Sequence, residues 1–166
     1  MNEFATKLKI LRDALLNKEQ ILKAILGICE NQESVYVAMQ DISKENSGEL
    51  RALLNGLNIE KQSLIDDVNA SDSGFTKLYA ELSADSDTFV AKCRENAETV
   101  EEMQELVEIV TDLDVKIRLC ERRNEELAKN ILRNYTQQAP AIDIPKTMPN
   151  KLMKTYQQNT QLKKKK

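Results

Sequence analysis

The sequence predicts an all-α protein: an elongated, antiparallel three-helix bundle, up-down-up with coiled-coil-like packing, followed by a flexible basic C-terminal tail. Three observations predict it. Apolar residues recur in a sustained four-three alternation along most of the chain, as one face of a helix requires. The 166 residues contain only 4 Gly and 3 Pro, too few for the tight turns of a sandwich, a barrel or a doubly wound sheet. All three prolines, Pro140, Pro145 and Pro149, lie together after the last long apolar rhythm. The domain reading is a helical bundle over 1–138 and a tail over 139–166.

The first helix carries its stripe at Phe4, Leu8, Leu11, Leu15, Lys18, Leu22, Ile25, Cys29, Gln32, Tyr36 and Met39. Every position but Lys18 and Gln32 can pack. Ile21, Leu26 and Ile28 widen the stripe, which suits a bundle better than a narrow two-chain seam. Gly27 costs about 1 kcal/mol relative to Ala inside a helix; close approach of a neighbouring helix and tolerated drift are equal explanations for it. The stretch 41–48 breaks the rhythm, and Asn46 with Glu49, or Ser47, supplies a cap.

The second helix starts near Gly48. Leu50, Leu54, Leu57, Leu64, Val68, Phe75, Leu78, Leu82 and Phe89 hold the phase, and Lys61, Ser71 and Asp85 interrupt it. The polar cluster 69–75 predicts a bend, or a restart capped by Ser71 or Asp72. Because the phase survives across it, one long, bent element is expected. The next turn falls at 96–98. A third helix follows with Val100, Met103, Leu106, Val107, Ile109, Val110, Leu113, Ile117, Cys120, Leu127, Ile131 and Tyr135. It has two adjacent apolar rows, as a helix touching two neighbours needs, and Pro140 forbids its continuation.

Charge and composition narrow the function. The chain has 24 Lys+Arg, 27 Asp+Glu and no His. Without His there is no hydrolase triad, zinc–histidine site or His proton shuttle. No phosphate-binding, dinucleotide or metalloprotease motif occurs. No enzyme, cofactor, metal or catalytic residue is therefore expected. Cys29, Cys93 and Cys120 are odd in number and widely spaced, which argues for reduced, packed thiols and a cytoplasmic setting. No secretory signal is recognised at the N-terminus, and no run is long and apolar enough to span a membrane. Lys146, Lys151, Lys154 and Lys163 to Lys166 face only Asp143 in the tail, so an acidic body carries a basic end. That is not the basic folded surface of a nucleic-acid binder. The acids Glu60, Asp66, Asp67 and Asp72, like Glu101, Glu102, Glu105 and Glu108, read as solvated surface.

The block 60–82, EKQSLIDDVNASDSGFTKLYAEL, resembles the FlgN family of flagellar export chaperones in its Gram-positive form. Glu60, Lys61, Gln62, Leu64, Ile65, Asp66, Phe75, Leu78 and Tyr79 carry the likeness. Residues 18–36 and 121–132 are similar to the family's first-helix and late-helix patterns. The resemblance implies a cytoplasmic chaperone that binds the amphipathic C-terminal helix of hook-associated proteins of the FlgK and FlgL class. It would prevent their premature assembly and deliver them to a type III export-gate component. It also implies gate docking by a tyrosine near the C-terminal end, for which Tyr135 and Tyr156 are the two candidates. The client groove is expected on the second apolar row of the third helix: Leu106, Leu113, Leu127, Ile131 and Leu132. Ordinary packing of that row against the other helices competes with this expectation. The alternatives are a FliT-like chaperone for the filament cap, or a homodimeric coiled-coil scaffold with no client. The long strict rhythm of the first helix is compatible with such a homo-oligomer.

Overall fold

The computed structural model describes residues 3–41 and 47–138, and these are all-helical apart from short turns. The elements are α1 (Glu3–Gln40), α2 (Ser47–Leu82), α3 (Ser86–Glu95) and α4 (Ala97–Gln138). No helix among the described residues is long and apolar enough to cross a membrane. The tail, 139–166, and the cap candidate Asn46 lie outside the described residues.

α1 follows its predicted stripe. Phe4, Leu8, Leu11, Leu15, Leu22, Ile25, Cys29, Gln32, Tyr36 and Met39 are all buried. Both polar positions have a partner on α2. Lys18 Nζ meets Asp72 Oδ1 at 2.8 Å, and Gln32 Nε2 donates to Asn58 Oδ1 at 2.6 Å. At Gly27 a methyl group would meet no atom within 4 Å, so that glycine serves no close helix approach.

The second predicted helix needs correction. Helix runs unbroken through 69–75, and the chain breaks instead at 83–85, giving four helices among the described residues where three were expected. The cause is local side-chain competition for backbone groups. Ser83 Oγ donates back to the Tyr79 carbonyl at 2.8 Å, while extended Asp85 caps α3 by accepting from Thr88 N–H and Thr88 Oγ1. Leu82 and Phe89 are seven residues apart, so both return to one face and the apolar phase conceals the break. The turn into α4 falls at Asn96, as the sequence suggests. The Asn96 N–H donates to the Cys93 carbonyl at 3.1 Å and its Nδ2 to the Lys92 carbonyl at 2.8 Å.

The chain divides into two compact units. One comprises Met1–Gly27 and Lys61–Arg118. Its core holds Phe4, Leu8 and Leu11 against Phe75, Leu78, Leu82, Phe89, Cys93, Val100 and Met103. Arg12 Nη1 reaches Glu102 Oε2 at 3.4 Å on the surface of this unit.

The other unit comprises Ile28–Glu60 and Leu119–Lys166. Val35, Tyr36, Met39, Leu54, Ala128 and Ile131 form its core, with Leu50, Leu57, Leu127 and Leu132 packed against them. A polar layer borders that core. Buried Asn124 donates through Nδ2 to the Cys29 carbonyl at 3.0 Å, and Arg123 Nε meets Glu33 Oε1 at 3.1 Å. Burial pushes the Tyr36 hydroxyl up to about 12.

Candidate functional site

The five leucine and isoleucine positions expected to form a client groove do not stand on an open face. Leu106 and Leu113 are buried in the first unit. Ile131 is in the core of the second unit, and half-buried Leu127 and Leu132 pack onto that core. The reason is geometric. All but Leu132, which stands next to it, share the four-three seam of α4 with Ile117, Cys120 and Asn124, all of which are buried. Tyr135 falls within α4, with its side chain outside the described part of the structure; Tyr156 lies outside the described residues altogether.

The open apolar feature is elsewhere, within the first unit. A cleft of about 670 Å³ is lined by Leu8 and Leu15 of α1, Phe75 and Tyr79 of α2, and Phe89 and Cys93 of α3. α4 completes it with Val100, Met103, Gln104, Val107 and Glu108. Local sequence explains each wall. Phe75 and Tyr79 lie one turn apart and stack, with centroids 6.2 Å apart and planes 7° from parallel. The Asp85 cap starts α3 so that Phe89 meets Tyr79 edge-on at 5.8 Å and Phe4 edge-on at 6.1 Å. Lys92 Nζ sits 5.5 Å from the centre of the Phe4 ring. All 3 phenylalanines of the chain are thus gathered at this end of one unit.

Several cleft side chains are only partly covered. Tyr79 is 44% exposed and Val107 is 49% exposed. Cys93 is half-buried, whereas Cys29 and Cys120 are fully buried. Burial raises the Cys93 thiol above its ordinary range. Burial first, and then the nearby Glu33 carboxylate, raises the Cys120 thiol.

Of the two adjacent apolar rows of α4, the structure encloses the one with Leu106 and Leu113 and leaves Val100, Met103 and Val107 bordering open space. The usable signal in the sequence was aromatic clustering: Phe75 and Phe89 share one phase with Tyr79 flanking it, and Phe4 begins the first stripe. Among the described residues no group of acids and cysteines could hold a metal ion. What the site offers chemically is an apolar, aromatic surface with a polar edge at Gln104 and Glu108. Comparison with protein-family models, curated proteins and solved structures finds no match to this chain.

Proposed function

We propose that the chain is a helical chaperone of flagellar type III export, acting in the cytoplasm on hook-associated proteins of the FlgK and FlgL class. The observation that carries the binding reading is the open apolar cleft of about 670 Å³ in the first unit. An amphipathic helix presents anchors at i, i+3, i+4 and i+7, and a groove of this chemistry takes such anchors as a further packed helix. Burial of apolar side chains drives the association, at ~25 cal/mol per Å² before ordering and association costs. Those costs leave a grip firm enough to shield the client helix and weak enough to release it.

The same reading takes the three long helices as antiparallel neighbours, up-down-up. Contacts inside each unit support it: Lys18 with Asp72 and Arg12 with Glu102 in one, Gln32 with Asn58 and Glu33 with Arg123 in the other. Gate docking is assigned to Tyr135 or Tyr156 on the family resemblance alone.

The test is titration of the full chain with the C-terminal helix of a hook-associated protein, read by calorimetry and by thiol labelling of Cys93. Binding that protects Cys93 and is weakened by Val107→Asp supports the reading. An obligate dimer with no affinity for the helix refutes it in favour of a scaffold.

A further inference from the structure

We infer that the cleft selects an amphipathic helix carrying Lys or Arg along one edge of its apolar face. This rests on the proposed helix-capturing role and names the chemistry of the partner. α4 sets an acidic rail beside the apolar lining. Glu101, Glu105, Glu108 and Asp112 follow one another at four-three-four spacing, so they share one face of the helix. All four are exposed, and Glu108 itself borders the cleft.

What distinguishes three of these acids, Glu101, Glu105 and Glu108, is their lack of neutralisation. Glu102, on a different face, is engaged by Arg12, and Asp112 is matched by Lys116 at 3.0 Å. Among the described residues Glu101, Glu105 and Glu108 have no ion-pair partner. No Lys or Arg occurs anywhere from Ala97 to Val115. The α3 cation named at this site, Lys92, already lies over the Phe4 ring. A helix lying in the cleft against Val100, Met103 and Val107 brings its edge alongside this rail. Acidic residues on that edge would repel the rail, and basic ones complete it.

The probes are two designed amphipathic helices about five turns long, with identical leucine anchors. One carries Lys along the edge of its apolar face and the other carries Glu. The readouts are anisotropy of the labelled peptide and protection of Cys93 in the full chain. The Lys peptide should bind about tenfold more tightly than the Glu peptide, since each exposed ion pair contributes at most a few-fold. The preference should shrink as salt rises to about 0.5 M. In the variant Glu101→Lys/Glu105→Lys/Glu108→Lys it should reverse.

Equal binding of the two peptides, or an unchanged preference in the variant, overturns the inference while the helix-capturing role stands. If neither peptide protects Cys93, both fall. Two other occupants would also overturn it. Self-association abolished by Val107→Asp would give the cleft to a second copy. Tighter peptide binding after Lys163 to Lys166 are all changed to Gln would give it to the chain's own basic end.

Discussion

Replacing Ile131 by Ala separates two accounts of α4. As a client-groove residue, Ile131 would be dispensable for folding. The structure places it at 5% exposure among Val35, Tyr36, Met39, Leu54 and Ala128. The substitution removes three carbons, which is about 2.4 kcal/mol of transfer free energy at ~0.8 kcal/mol per carbon. The cavity left behind adds to this, and rigid neighbours bring the expected total to about 3–4 kcal/mol. Adding Leu127→Ala costs less than a second full core deletion, because Leu127 is half-buried. Urea unfolding followed by helical circular dichroism measures the loss. Under conditions where the variant is still folded, titration with the client helix should give wild-type affinity, because the proposed cleft is lined entirely by residues of the other unit. A variant with full stability and abolished client binding would refute the reasoning and return the groove to this row.

Three further outcomes are expected. Changing Gly27 to Ala should stabilise the chain by about 1 kcal/mol in the same urea assay, since the added methyl meets open space in a helical backbone. Tyr36 is raised to about 12, so its contribution is complete below the unfolded value near 10 and is lost as pH rises through 12. At pH 11 the unfolded chain is mostly ionised there and the folded chain mostly is not, which destabilises the wild type by about 1.4 kcal/mol relative to pH 9; urea unfolding of Tyr36→Phe should lack that component. A thiol reagent should modify Cys93 well before buried Cys29 and Cys120, with a rate still climbing above the ordinary thiol range of about 8.5. Peptide mapping of the label checks this, and Asp85→Ala, which removes the α3 cap, should speed it.

Much of the fold was legible because periodicity reports burial directly. The α1 stripe was read position by position, and its misfits, Lys18 and Gln32, have polar partners on α2. The break at 83–85 was not legible, because seven residues separate Leu82 from Phe89 and two turns of helix lead to the same face. The polar run 69–75 misled for the opposite reason. Asp72 is tied to Lys18, and a side chain at Gly74 would meet open space, so nothing there forces an interruption. The cleft was only partly legible. Periodicity marks Val100, Met103, Leu106 and Val107 alike as apolar, and which row is covered depends on where neighbouring helices end. Where α3 starts after α2 ends is set by the Asp85 cap, a contact between residues three apart which carries no apolar signature.

The Asn124 bond to the Cys29 carbonyl, beside the Gln32–Asn58 pair, has a consequence for alignment within the second unit. Seven residues beyond Asn124 stands Ile131, in the same unit, so greasy contacts alone would tolerate sliding α4 by one heptad in that direction. Such a slip would break the Nδ2 bond to the Cys29 carbonyl and leave neither end of the Asn124 amide paired, since its buried Oδ1 has no partner among the described residues even in the native register, at a cost of about 1–3 kcal/mol. The amides thus act as a notch in an otherwise smooth track, and a helix arriving in the wrong frame finds no comparable resting place.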